Sequence, residues 1–494
     1  MPEAMKGTAE QRTGFWPLVK LAAPIAVSQA GYALMGLVDT AVVGRAGAVP
    51  LAAVGLANAV FIGFTIFGMG MLIGLDGLIS QSLGAGQPTR ARELFWTGIW
   101  MSGGLAVALT PPMVAGAFFL EQGGIEPAVA SDTRIYLLIR ALSVFPVYIF
   151  FVQRAYLQAL KRTRDLVVAA VVANVVNLFA DILFVFGGGG LPAWTGPLRL
   201  VPPMGTAGAA IATVLCSYLQ VVIAWRGVAA VRVPERPRRS WSGEDARAVS
   251  RLGVPVGLHY LAEVGVFALA GFLAGRMGAE NMGAHQVAIT IASLTFCLAL
   301  GISNAGSVTV GWAVGARDTR EARRAGMRAF TAGALFMGMN AILLSVFPRG
   351  IASLITDQPE VLDIAAPLLV VAGAFQLSDG IQGVGAGVLR GAGDSRFTFI
   401  ANVVGHYVIG LPVAMLLGPL GNGGVRGIWW GLSVGLTAVA VALFARFWWL
   451  SSKEIVPMDV RREDDPATKG TGTQRTQAPD GLGPALREEA AGSP

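Results

Sequence analysis

The feature that most constrains this chain is the length of its apolar runs. They come in blocks of roughly 20 to 30 residues, enough for a helix to cross a hydrocarbon core of about 30 Å. In hydrocarbon every backbone N–H and C=O must find its partner within the protein, so only helices or a closed barrel can span it. A barrel strand is a segment of about ten alternating residues, and blocks of this length are not that pattern. The fold class is therefore all-α, a polytopic membrane protein. Composition agrees: of 494 residues, 54% are hydrophobic and 14% charged, and mean hydropathy is +0.61, whereas a soluble domain is about one quarter charged. The 65 glycines lie with alanine inside the apolar blocks, where small residues let helix backbones approach. Cys216 and Cys297 also fall in apolar blocks, which argues against a disulfide framework or a cysteine metal site.

Hydropathy places spans near 15–41, 51–83, 95–120, 134–160, 166–188, 205–229, 251–275, 282–314, 327–347, 360–390, 397–418 and 425–450, twelve in all. The first block is too long for a secretory signal and lacks a small-residue cleavage site, so it is expected to be retained as the first helix. The formal charge of +7 does not indicate nucleic acid, because the basic residues alternate with the helices. Connections after even-numbered helices carry them: Arg90 and Arg92; Lys161, Arg162 and Arg164; Arg232 to Arg251; Arg317 to Arg328; Arg390 and Arg396; then Lys453, Arg461 and Arg462. The other connections carry single residues such as Arg45, Arg199, Arg276, Arg349 and Arg426. The positive-inside rule then puts both termini in the cytoplasm, for a multi-pass protein of the plasma (inner) membrane. The expected organisation is a cytoplasmic N-terminus at 1–14, an amino-terminal six-helix lobe at 15–229, a basic linker at 230–250, a carboxy-terminal six-helix lobe at 251–450, and a cytoplasmic, partly disordered tail at 451–494. A monomer in the lipid bilayer is expected.

The two lobes repeat one another. Leu21-Ala-Ala-Pro24 returns as Leu252-Gly-Val-Pro255, Gly44-Arg-Ala-Gly47 as Gly275-Arg-Met-Gly278, and Gly84-Ala85 with Arg92 as Gly315-Ala316 with Arg323, all at an offset of 231 residues. Ala173-Asn-Val-Val176 returns as Ala401-Asn-Val-Val404 at 228. Each half holds an even number of helices, so both enter from the same side and are related by a pseudo-twofold along the membrane normal, with a cleft between them.

Carboxylates inside a span cost at least about 2.5 to 3.5 kcal/mol on insertion scales and point to function. Five lie well inside: Asp39, Asp76, Asp181, Glu263 and Asp379. Asn174, Asn177 and Asp181 are spaced three and four apart, which puts them on one helix face; Asn174 suits interhelical bonding as well as a site. An intramembrane aspartate that water reaches alternately from each side can load and unload protons. Paired carboxylates with neighbouring oxygens suit sodium instead, and the residues leave both open. Asp76, in Gly74-Leu-Asp-Gly77, has no polar partner at helical spacing and suits a pair with another helix. His259 and His406 could face the cleft, whereas His285 suits packing. Pro24, Pro146, Pro255 and Pro412 are candidates for kinks. Tyr32, Tyr148, Tyr260 and Phe375 are aromatic candidates for contact with a cation.

Ordered motifs carry a resemblance that spans nearly all of residues 15–450. They are Val38-Asp-Thr40 with Gly44-Arg45 and Leu51-Ala-Ala53; Gln81 with Gly84-Ala-Gly86; Ala284-His-Gln286; and Ser378-Asp-Gly-Ile-Gln382 leading to Val388-Leu-Arg-Gly391 and Asp394-Ser-Arg396. The chain resembles the multidrug and toxic compound extrusion (MATE) transporters, most of all the norfloxacin-exporter branch. The resemblance implies twelve helices in two lobes and export of organic cations or amphipathic drugs and toxins by antiport against protons or sodium. It implies a cation-coupling site at Asp39, Asn177 and Asp181 in the amino-terminal lobe and another at Glu263 and Asp379 in the carboxy-terminal lobe. Tyr32, Asn174, Tyr260, Phe375 and Gln382 are candidates for the substrate cleft. No cofactor is expected and no metal beyond sodium at Glu263 and Asp379, where Phe375 replaces a tyrosine found in some members and weakens that site. No enzyme signature of clustered aspartates or histidines stands out. The alternative is a flippase for lipid-linked precursors of related two-lobe architecture, which would favour a cleft lined by Arg and Lys over one lined by acids.

Overall fold

The computed structural model describes residues 14–190 and 192–458, with the side chains at 32 and 193 left out. The stretch before Gly14, the tail beyond Met458 and the Tyr32 side chain thus lie outside the described residues. Among the described residues twelve helices are long and apolar enough to cross a membrane: α1 (Phe15–Gly44), α2 (Ala48–Gly84), α3 (Pro88–Ala117), α4 (Pro127–Ala159), α5 (Thr163–Phe186), α6 (Gly205–Ala229), α7 (Gly243–Gly275), α8 (Ala279–Gly315), α9 (Thr319–Val346), α10 (Pro359–Gly391), α11 (Ser395–Leu417) and α12 (Gly424–Leu450). The expected number and order hold.

Helices α3, α4, α7 and α9 begin seven or eight residues before the apolar blocks. Hydropathy sees only the part that faces hydrocarbon, while local chemistry starts the helix earlier. Pro88 and Pro127 occupy first-turn positions, where a missing N–H costs nothing. The Ser242 hydroxyl accepts from Asp245 N, and Asp318 Oδ1 accepts from Glu321 N at 2.8 Å, each capping an otherwise orphan donor.

Packing repeats with the sequence. In the first half α1 packs on α5, α2 and α3 on α4, and α4 and α5 on α6; in the second, α7 packs on α11, α8 and α9 on α10, and α10 and α11 on α12. The seam between halves obeys the same exchange, with α1 against α8 and α2 against α7. A Cβ on Gly84 would lie 2.1 Å from Trp312 O, and one on Gly315 would lie 2.0 Å from Gln81 O. These four residues are two repeat pairs, so the contact is self-complementary, as a twofold requires. Likewise a Cβ on Gly70 would meet Gly257 Cα at 2.6 Å, and one on Gly301 would meet Ala26 Cβ at 2.6 Å. All these approaches lie toward the end where even-numbered helices finish and the central linker runs, here called the linker face.

Polar ties reinforce the seam at that face. Gln81 Nε2 donates to Gly391 O at 2.9 Å, and its Oε1 accepts from Met458 N at 2.8 Å. Ile455, buried, donates its N–H to Thr319 Oγ1 at 3.1 Å. The segment after α12 therefore runs back across the seam to α2. Arg390, assigned by sequence to a basic connection, instead lies inside α10 and is buried. Its guanidinium donates to Asn304 at 3.0 Å and sits 3.7 Å from Asp76, which supplies the partner expected for that acid on another helix. Arg90 and Arg92 are likewise buried in α3. Arg90 pairs with Asp245 at 2.7 Å, as Arg238 also does, and Arg92 donates to Val228 O and Val231 O. Two of the expected kinks are visible: a 3-10 turn at Ala141–Ser143 precedes Pro146, and a π-helical stretch at Val404–Gly410 precedes Pro412. Proline removes a donor and crowds the preceding turn, so the ladder shifts register there.

If the seam rests on these approaches, Gly84→Ala and Gly315→Ala will each destabilise the detergent-solubilised protein by about 1 to 3 kcal/mol, the usual cost of overpacking. Gly104→Ala, where a Cβ meets nothing within 4 Å, will not. Thermal unfolding followed by tryptophan fluorescence compares the three; equal melting temperatures would show the seam to be slack.

Candidate functional site

The amino-terminal half gathers its acids in a buried cluster. Asp39, near the C-terminal end of α1, is 1% exposed, and Asn177 and Asp181 on α5 are 0% exposed. Asn177 Nδ2 donates to Asp39 Oδ1 at 3.1 Å, and Thr213 Oγ1 on α6 donates to Asp39 Oδ2 at 2.7 Å. Both Asp39 oxygens are thus held. Neither Asp181 oxygen has a donor among the described residues. Asp181 lies within electrostatic reach of Asp39. The Tyr136 phenol of α4 lies beside Thr213 and both acids.

Helical spacing explains this convergence. Asn177 and Asp181 are one turn apart, so both point at α1. Asn174, one turn earlier, donates to Gly31 O and Ala170 O at 2.8 Å each. It ties α5 to α1 and takes no part in the acid cluster. Thr213, Ser217 and Gln220 share a face of α6. Their spacing of four and three was the signal by which sequence reading could have found Thr213. Tyr136 left no such signal, since its role depends on where α4 lies.

Between α1, α2, α4 and α6 there is a cavity of ≈ 280 Å³ lined by Asp39, Asn58, Phe61, Arg140, Thr213, Ser217 and Gln220, among others. It is mostly apolar with a few placed polar groups, the usual make-up of a small-molecule site. It lies wholly within the amino-terminal half.

In the carboxy-terminal half Glu263 on α7 lies 3.6 Å from His259 Nε2, one turn before it. Asp379 on α10 has Glu263 as its charged neighbour. Gln376 and Gln382 flank Asp379 at three residues either side, and their buried amide groups have no partner among the described residues. The set offers two carboxylates and two amide oxygens, a donor set of hard oxygens that fits a monovalent cation. Phe375 is 1% exposed and packs edge-on against Phe267 and Trp429, with ring centroids 6.0 and 5.2 Å away. Tyr260 is half-buried and meets the His259 ring at 5.4 Å. His285 accepts from Trp429 Nε1 at 3.2 Å, a packing role. His406 bonds the Asn402 carbonyl at 3.1 Å. A second cavity, of ≈ 550 Å³ between α7 and α8, has neither Glu263 nor Asp379 in its lining.

Comparison with known proteins agrees with both fold and motifs. The MatE family model matches residues 24–183 and 255–416, two segments whose starts are one repeat apart. A probable multidrug resistance protein NorM from Rhizobium meliloti (strain 1021) is 32% identical over 448 residues, covering 88% of this chain and 93% of its own. A protein of the same name from Agrobacterium fabrum is 34% identical over 432 residues, covering 84% and 90%. A solved MATE structure in the straight conformation superposes with a TM-score of 0.80 at 21% identity, covering 91% of this chain and 98% of that one. The eukaryotic MATE transporter AtDTX14 gives 0.78 at 20% identity, covering 90% and 98%. With twelve helices, a repeated six-helix half and buried acids in the matched segments, the chain belongs to the MatE family.

Proposed function

We propose that this protein is a secondary active antiporter, not an enzyme, that exports organic cations or amphipathic drugs and toxins in exchange for protons or sodium. Its relatives are named as multidrug resistance proteins. The reading places it in the plasma membrane with both termini in the cytoplasm, so that the linker face is the cytoplasmic one and the two halves rock about the seam.

The observation that carries this is the Asp39–Asp181 pair. One carboxylate is held by two donors, and the other has none among the described residues. Two like charges in a low-dielectric site repel, and a single proton shared between them relieves the repulsion and makes a hydrogen bond. A cationic substrate relieves it as well. Proton and substrate therefore compete for one charge deficit, the condition for antiport: loading from outside releases the substrate, and unloading inside restores its site. Under sodium coupling the corresponding set is Glu263 and Asp379, with the amides of Gln376 and Gln382 as further oxygens.

Reconstitution in proteoliposomes with an imposed proton or sodium gradient tests the reading. Under a proton gradient Asp39→Asn and Asp181→Asn will lower efflux at least about tenfold, as loss of a group worth about 1.4 kcal/mol or more requires. Unchanged efflux in both would remove the amino-terminal site from the mechanism. Under a sodium gradient the same loss is expected from Glu263→Gln and Asp379→Asn, and its absence would leave protons as the coupling ion.

Thr213→Val keeps the shape of the side chain and deletes the donor to Asp39 Oδ2. A hydrogen bond to a charged group contributes about 1.5 to 3 kcal/mol, so proton-driven efflux per folded molecule will fall about tenfold or more, with a modest drop in melting temperature. Wild-type transport by this variant would mean that Asp39 does not need both donors.

A further inference from the structure

The central linker is laid against α3 at Arg238 and Arg239. Glu93, Trp96 and Trp100 follow one another on α3 at spacings of three and four, so they share a face. Glu93 Oε1 accepts from Arg238 N at 3.2 Å. The Arg239 guanidinium sits over the Trp96 ring, 5.3 Å from its centroid, and Trp100 Nε1 donates to Arg239 O at 2.8 Å. That face looks outward. Trp100 is 54% exposed and Val107, two turns on, is 76% exposed; both stand inside the apolar block that begins near 95. The linker is thus pinned where α3 passes from water into hydrocarbon, the level that tryptophan favours.

Two guanidiniums stand near each other there with no carboxylate partner among the described residues. Arg92, one turn before Trp96, lies over the Tyr156 and Phe95 rings, 4.7 and 5.5 Å from their centroids, and Arg239 is within its electrostatic reach. The rings of Phe95, Trp96 and Trp225, packed with centroids 5.6 to 6.0 Å apart, form the platform that carries both. Arg92 spends Nη2 on Val228 O and Val231 O, while its Nε and Nη1 make no hydrogen bond among the described residues. Arg239 is exposed, and its side chain makes neither a hydrogen bond nor an ion pair among the described residues. The acids close by are already engaged: Glu93 by Arg90 and the Arg238 N–H, Asp245 by Arg90 and Arg238. Elsewhere on the linker face arginines find their acids within the chain, Arg328 with Glu321 and Arg446 with Asp394. Like charges repel, so a pair held together on stacked rings is completed by an anion from outside.

We propose that Arg92 and Arg239, on their aromatic platform at the linker face, form the binding site for the phosphate of one anionic phospholipid of the adjoining leaflet. A guanidinium presents a planar fork of donors that matches phosphate oxygens. A choline or ethanolamine headgroup brings a cation with its phosphate, which the arginine pair repels; a headgroup that is anionic as a whole does not. The outward face of α3 favours a lipid over a free anion, because Trp100 and Val107 offer the acyl chains an apolar wall next to the charges. The bound phosphate would in turn hold the linker on α3. This site lies outside both acid clusters and makes no use of the antiport reading.

The test uses the full-length protein, delipidated in detergent and incubated with equal amounts of dioleoyl phosphatidylglycerol and dioleoyl phosphatidylcholine, with bound lipid counted by native mass spectrometry. An arginine beside an anionic lipid is worth about fivefold in affinity, so wild type is expected to hold the first phosphatidylglycerol about tenfold or more over phosphatidylcholine, and Arg239→Gln to lower that ratio about fivefold. Arg247→Gln removes the same charge from an exposed position outside the pair and should leave the ratio within twofold of wild type. Millimolar inorganic phosphate, present during the incubation, should leave the phosphatidylglycerol adduct in place. The proposal is overturned if wild type retains the two lipids alike, or if Arg247→Gln lowers the ratio as much as Arg239→Gln, which would mean diffuse attraction by net charge. Displacement of the lipid by inorganic phosphate also overturns it, by showing a site for free anions. The wild-type comparison decides even if a variant fails to fold.

Discussion

In a bilayer, helices gain nothing by hiding apolar side chains from one another, because lipid is as apolar as leucine. What holds two bundles together must then be close packing and a few hydrogen bonds. Here that packing is concentrated where glycines meet backbone: Gly84 on Trp312, Gly315 on Gln81, Gly70 on Gly257, Gly301 on Ala26. These contacts lie toward one face and exchange under the repeat, so each half presents the other with the surface it receives. The acid clusters sit in helices that this seam positions without taking part in it. The close approaches gather at one end of the molecule, and the acid clusters lie away from it.

The sequence showed the frame because the frame is written in patterns of constant spacing. A 231-residue offset survives side-chain divergence when it marks glycines with no room for a Cβ and prolines at matching turns. The stripe of Asn174, Asn177 and Asp181 was visible because one helix carries all three residues. What stayed hidden is what different helices supply to one point. Thr213 and Arg140 reach the Asp39 chamber from α6 and α4, and nothing in the linear order brings them together. Arg390 misled for a different reason. At the end of an apolar block a basic residue resembles a loop charge, and only Asp76 and Asn304 from other helices turn it into a buried one. Helix starts were missed where capping chemistry extends a helix beyond the membrane-facing part that hydropathy records.

The halves share a scaffold without sharing chemistry. At matching positions Asp39 answers to Ala270 and Asp181 to Ile409, while Glu263 answers to Tyr32 and Asp379 to Tyr148. Tyr148 is fully buried and donates to Thr65 O at 3.2 Å, so the place taken by an acid in one half serves packing in the other. The repeat supplies the same helical frame twice, and the acids occupy different positions in its two halves.

The clasp at Gln81 has a consequence for how the molecule is made. Its side chain holds Gly391 on one side and Met458 on the other, and both are synthesised more than 300 residues after it. Until α7 and α8 emerge the glycine-lined face of α2 lacks most of its partners, and until α10 emerges Asp76 lacks Arg390. The amino-terminal bundle must wait in the bilayer with its mating face open. Segments generally fold as they leave the ribosome, so the close approaches of the seam can form once α8 is made, whereas the clasp through Met458 can close only after α12, which makes that strap the last stitch of assembly.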